Sequence, residues 1–150
     1  MTLTQKETFL IKDLRSQEQL CIQKYAKAAT DACDGQLKNL FTHIGQIESQ
    51  HLQTLDQIAA GTVPQMGGGG QQQQSPAIGI SSCAPADKQK DAYLCSDALA
   101  MEKHVSSSYN TCVFEFADTN VRSLLNHIQK EEQQHGEQIY NYMSKNGMYS

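Results

Sequence analysis

Glu48-Ser49-Gln50-His51 and Glu132-Gln133-Gln134-His135 decide the reading of this 150-residue chain. Both are Glu-x-x-His, and they stand 84 residues apart. On a helix, positions i and i+3 lie one turn apart on one face, so each motif brings a carboxylate and an imidazole together. Both motifs fall on stripes that are otherwise apolar, where charged groups need a compensating partner.

The same offset extends outward from the motifs. Adding 84 pairs Asp13 with Asp97, Glu18 with Glu102, Tyr25 with Tyr109 and Asp34 with Asp118. It also pairs Leu40 with Leu124, His43 with His127, Ile44 with Ile128 and Gln50 with Gln134. Two amphipathic hairpins that matched only by composition would share Leu and Ala. These share Glu, His and Tyr, so the chain reads as an internal duplication of a helical hairpin.

Helix signals frame both halves. Thr4-Gln5-Lys6-Glu7 has capping-box spacing, Asp34 is placed to cap a second helix, and Gly61 to end it. Asp87 is the expected cap of a third helix; Asp118 or Thr119 starts a fourth, and Gly147 ends it. The pattern predicts helices over 5–32, 35–60, 88–116 and 119–146. Apolar residues step by three and four at 10, 14, 21, 25, 28 and 32 in the first, and at 37, 41, 44, 55 and 58 in the second. The third uses 95, 98, 105, 109, 112 and 116, and the fourth 121, 125, 128, 139 and 142. This is the spacing of helices that face a bundle core. The expected fold is all-α: an antiparallel four-helix bundle of two duplicated hairpins, 5–60 and 88–146, in a single domain over 1–150. Between them, 62–86 holds all three prolines, the Gly67–Gly70 run and the Gln71–Gln74 run, and reads as a long, mobile crossover linker.

The stripe positions that are not apolar are Glu18, Glu48, His51, Glu102, Glu132 and His135. Residues 18 and 48 flank the first hairpin turn symmetrically, as 102 and 132 flank the second, so each pair sits level, roughly 22 Å from its turn. Four ionised carboxylates in a core are prohibitive without compensation, and two divalent cations cancel them. Mixed oxygen and nitrogen ligation suits Fe(II), Mn(II) or Zn(II) rather than Ca(II), with iron the first expectation. By the usual ligation Glu48 and Glu132 bridge, Glu18 and His51 complete one ion, and Glu102 and His135 the other. Tyr25 and Tyr109, two turns along the same face, either hydrogen-bond a ligating carboxylate on a neighbouring helix or fill core space. His43 and His127 are expected on helix surfaces, and His104 in solvent.

Composition bounds the rest. Twelve basic against 16 acidic residues, a net charge of −4, disfavour a nucleic-acid partner. No run approaches a membrane span, and the N-terminus lacks the plan of a signal peptide, so residence inside a cell is the default. Five cysteines without a Cys-x-x-Cys pair give no support to a disulfide framework, a zinc ribbon or a rubredoxin-type iron site. Cys21, Cys95 and Cys112 lie on apolar stripes, whereas Cys33, in a turn, and Cys83, in the linker, are expected to be exposed.

The six-residue pattern resembles the dimetal sites of bacterioferritin and rubrerythrin. Finer texture resembles the spore coat protein F (coat F) family, a ferritin-like group. It is carried by Leu3-Thr4-Gln5-Lys6-Glu7, by Ser16-Gln17-Glu18-Gln19-Leu20-Cys21 and by Glu131-Glu132-Gln133-Gln134-His135-Gly136-Glu137. The tail Tyr142-Met143-Ser144-Lys145-Asn146-Gly147-Met148-Tyr149 carries it too. The resemblance implies a ferritin-like bundle made in the sporulating mother cell and deposited on the spore coat. Expected partners are other spore coat proteins and a second copy of the chain, as a dimer. With a Gly/Gln linker and no fifth helix, the chain departs from storage ferritins, and without rubredoxin cysteines it departs from rubrerythrin. Two functions stay open: a dimetal oxidase or peroxidase-like enzyme acting on dioxygen or peroxide, and a structural coat protein in which the metal pair only stabilises or is vestigial.

Overall fold

The computed structural model describes residues 1–66 and 76–149. Among the described residues four helices account for the secondary structure: α1 (Gln5–Asp31), α2 (Gly35–Ala59), α3 (Pro85–Glu115) and α4 (Thr119–Lys145). No strand occurs among the described residues. Helices α1 and α2 pack as one hairpin and α3 and α4 as the other, with α1 against α3 and α2 against α4 between them. Lys6 pairs with Glu115 and Lys24 with Asp97, so α1 and α3 run antiparallel.

The ends follow local chemistry. Thr4 and Glu7 close the capping box in both directions, and the carboxylates of Asp34 and Asp118 accept from the first free N–H groups of α2 and α4. Gly61 and Gly147 take φ of 80° and 66° just past α2 and α4, a conformation that disfavours a Cβ. The start of α3 departs from expectation. Ala84, not Asp87, is the N-cap, without a side-chain hydrogen bond, and Pro85 opens the helix. Proline suits that first position because its φ is already helical and its missing N–H had no helical partner.

Two apolar clusters fill the interior. One, around Leu14, Leu55, Val105, Val121 and Leu125, lies toward the α3–α4 turn. The other, around Tyr25, Leu37, Phe41, Ala98 and Ile139, lies toward the α1–α2 turn. Each fully buried Leu or Ile adds about 1.5–3 kcal/mol. The stripes of α2, α3 and α4 are buried where the periodicity puts them. In α1 the buried line runs through Glu7, Ile11, Leu14, Glu18, Cys21 and Tyr25, with Leu10 only half-buried.

Two acids lock the hairpin turns: Asp91, not singled out in the sequence, and Glu7, read there only as part of a capping box. Asp91, fully buried in α3, accepts from the backbone N–H of Cys33 at 2.8 Å and of Asp34 at 3.0 Å. Glu7 of α1 accepts from the N–H of Ala117 at 2.9 Å. Residues 7 and 91 are themselves 84 apart, as are 33 and 117, so each hairpin's leading helix clasps the other hairpin's turn.

The described flanks of the connection, 62–66 and 76–84, lie at opposite ends of the bundle. Val63 packs on the cluster near the α3–α4 turn. Gly79 donates to Gln36, and Lys145 donates to the Ile78 carbonyl, at the opposite end. The glycine run and the Gln71–Gln74 run fall outside the described residues. The cysteine reading needs correction, because Cys33 and Cys83 form a disulfide. Bundle topology is the reason: α3 must begin beside the α1–α2 turn, which carries Cys83 to Cys33 across 50 residues of sequence. Cys33 is exposed as expected, but Cys83 is half-buried. Cys21, Cys95 and Cys112 are free and buried. Burial pushes the Cys95 thiol up to about 12 and that of Cys112 up to about 11, so they act as apolar filler.

Candidate metal centre

Between the two apolar clusters lies a polar layer. Glu18 comes from α1, Glu48 and His51 from α2, Glu102 from α3, and Glu132 and His135 from α4. The structure brings all six together, and none is more than 3% exposed. Each helical i, i+3 pair turns its carboxylate and imidazole to the same point, and the antiparallel packing sets the two points side by side.

Ligand-type atoms of Glu18, Glu48, His51 and Glu132 lie within 4.8 Å of one another, and so do those of Glu48, Glu102, Glu132 and His135. Glu48 and Glu132 are common to both groups. His51 Nδ1 stands 3.0 Å from Glu48 Oε2 and 3.1 Å from Glu132 Oε1. His135 Nδ1 stands 3.3 Å from Glu48 Oε1 and 3.5 Å from Glu102 Oε1 and Glu132 Oε2.

Around this layer the two tyrosines reach across to the opposite hairpin. Tyr25 donates its hydroxyl to Glu102 Oε1, and Tyr109 donates to Glu18 Oε1. Of the two roles open to them, both perform both: each is fully buried in an apolar cluster and each holds a carboxylate. Their hydroxyls are raised well above 10.0, first by burial and then by the carboxylate each one holds.

Electrostatics divides the acids. Burial, then the charges of Glu48 and Glu132, lifts Glu18 well above 4.5. Burial, then the adjoining Glu132, lifts Glu102 likewise. Burial also acts on Glu48, but the two imidazoles more than offset it and hold the group below 4.5. In Glu132 burial is outweighed by Glu102, His135 and His51, and the group lies well below 4.5. Burial would lower both histidines; Glu131, Glu132 and Glu48 around His51, and Glu102, Glu132 and Glu48 around His135, raise them well above 6.5 instead.

Even so, the layer is poorly satisfied. Glu18 Oε2, Glu48 Oε1, Glu102 Oε2, both Glu132 oxygens and both His135 nitrogens are buried without a hydrogen bond. Buried polar atoms in native folds are nearly always paired, so a cluster of orphans converging on two points fits a divalent ion at each.

Sequence reasoning missed Glu131. Its Oε2 meets His51 Nε2 at 2.7 Å, and its Oε1 stands 3.5 Å from His127 Nε2. The offset could not reveal it, because its counterpart in the first half is Ile47. His127 is nearly half exposed on the helix surface, but it touches a residue that touches the centre. His43 is half-buried, its Nε2 without a hydrogen bond, and His104 is exposed.

The groups about His135 and Glu132 lie in a recognised segment. Residues 90–150, most of α3 and all of α4, match the family model described as Coat F domain. No curated protein and no solved structure matches the chain. Among the described residues no helix is long and apolar enough to cross a membrane. Residues 90–150 thus resemble a Coat F domain, a match that covers less than half of the chain.

Proposed function

We propose that the chain is a spore-coat-associated ferritin-like protein, a single domain over 1–150, whose central layer holds two divalent ions. Iron is the leading choice and Mn(II) or Zn(II) the alternatives. The observation that carries this reading is the set of buried, hydrogen-bond-free ligand atoms that converge on two points and share Glu48 and Glu132. Glu18 and His51 complete one position, and Glu102 and His135 the other. When bound, an iron pair supplies the electrons that reduce dioxygen or peroxide.

The chain's own groups hold that pair in place. Tyr25 and Tyr109 each fix one oxygen of a terminal carboxylate and leave the other without a hydrogen bond. Glu131 orients the His51 ring through Nε2. The apolar clusters on either side exclude bulk water and lower the local dielectric, which strengthens ligation.

A second reading is a structural coat protein in which the metal pair only stabilises the bundle or is vestigial. The match of residues 90–150 to a Coat F domain supports it as well. Metal content of protein prepared without chelator, followed by peroxide consumption per mole of bound iron, separates the two. Two ions with turnover above free Fe(II) supports the oxidant-reacting centre. Two ions without turnover leaves the structural role with a stabilising pair, and no bound ion defeats the oxidant-reacting centre and leaves only the vestigial form.

A further inference from the structure

Two features break the two-fold relation between the halves of the centre, and both point the same way. The first is the outer nitrogen of each histidine. His51 Nε2 meets Glu131 Oε2 at 2.7 Å, whereas His135 Nε2 is buried with no hydrogen bond. Position 47, the counterpart of 131, is Ile47, 4% exposed and unable to accept a hydrogen bond. An acceptor at the outer nitrogen fixes the tautomer and the ring orientation and raises ligand basicity; removing one typically weakens metal affinity about 10–100-fold.

The second feature is access. Between α3 and α4 runs a groove of about 480 Å³ whose lining includes Glu102 and Glu132, with Leu99, Ser106, Gln129 and Gly136. The hollow on the α1–α2 face, about 530 Å³, is lined by Ile22, Phe41, Gly45 and Ser49 among others, and by none of the six ligands. Of these two hollows, only the α3–α4 groove reaches ligands, at Glu102 and at the shared Glu132.

Resting on the two-ion reading above, we propose that the centre is functionally unequal: a held divalent ion at Glu18 and His51, secured by Glu131, and an exchangeable one at Glu102 and His135. The exchangeable ion comes and goes through the α3–α4 groove. Glu131 is a positioning residue, acting through the His51 ring. The other groove residues, Leu99, Ser106, Gln129 and Gly136, take no part in ligation and control only the rate.

The test is a Mn(II) titration of the chelator-stripped full chain, with free Mn(II) read by electron paramagnetic resonance. Wild type should bind two ions in two steps. Glu131→Gln should weaken the tighter step about 10–100-fold and leave the weaker step in place. Ile47→Glu, which offers His135 an acceptor, should tighten the weaker step. Ser106→Phe, filling the groove, should slow binding of the second ion in stopped flow without changing its equilibrium affinity. Two equal steps in wild type, or a Glu131→Gln effect confined to the weaker step, would overturn the proposal while leaving the two-ion reading intact. Failure of wild type to bind any ion would overturn both.

Discussion

Tyr25 on α1 donates its hydroxyl to Glu102 on α3, and 84 residues later Tyr109 on α3 returns the same bond to Glu18 on α1. The pair crosses the interface between the two hairpins twice. Each bond therefore links the positioning of a carboxylate to the packing of the halves. Both acids are held well above 4.5.

Tyr25→Phe and Tyr109→Phe should each destabilise the metal-free protein by about 1–2 kcal/mol, the usual cost of losing a buried hydrogen bond and leaving its acceptor unpaired. Urea unfolding should show a lower midpoint at an unchanged m-value. No change in midpoint would mean that the hydroxyls contribute nothing beyond filling space.

The pH dependence of the metal-free fold has a definite sign. His51 and His135 are raised well above 6.5, so their contribution is complete below 6.5 and is lost as pH rises through their folded values. Glu18 and Glu102, raised above 4.5, act the same way, losing stability as pH climbs from 4.5. Glu48 and Glu132 lie below 4.5 and lose their contribution only as pH falls further. The chelated protein should therefore be most stable near pH 4.5, weakening above it first through Glu18 and Glu102 and, beyond 6.5, through the two histidines as well. Bound metal should reverse that slope, because ligation needs deprotonated groups. About four protons should leave, one each from Glu18, Glu102, His51 and His135. Calorimetry across pH, with and without Mn(II), checks both signs.

Asp91 should be a stability residue in its own right. It accepts two backbone N–H bonds while fully buried, and Asp91→Ala would strand both donors at about 2–4 kcal/mol in total. Amide exchange at Cys33 and Asp34 should accelerate in the same variant, and unaltered exchange would contradict the clasp.

Reducing the Cys33–Cys83 bridge should cost about 4 kcal/mol, on the loop-entropy account for two cysteines 50 residues apart. Thermal unfolding with and without reductant reads it, with Cys83→Ser as the matched variant. Its α-helical signal at low temperature should survive, since the bundle's apolar clusters are formed elsewhere.

The parts of this molecule that the sequence made legible share one property: they repeat, or they cap. Helix spans came from apolar periodicity with caps at Thr4, Asp34 and Asp118. The six central residues came from Glu and His standing where apolar residues were due, twice, at one offset. What stayed hidden was of three kinds. The turn contacts of Glu7 and Asp91 are the first: the two share the offset but differ in residue type, so an identity match passes over them. Glu131 has no counterpart, because Ile47 occupies its place. The disulfide depends on where a crossover lands, which spacing does not encode; Pro85 at the head of α3 looked like linker for the same reason.

Anomalous diffraction from crystals grown with Fe(II) or Mn(II), recorded on either side of the metal edge, tests the central claim most directly. Two anomalous peaks per chain are expected between the apolar clusters. Glu48 and Glu132 should touch both, Glu18 and His51 one, and Glu102 and His135 the other. A layer with no anomalous density at saturating metal, its carboxylates paired only with each other and the two histidines, would contradict the claim.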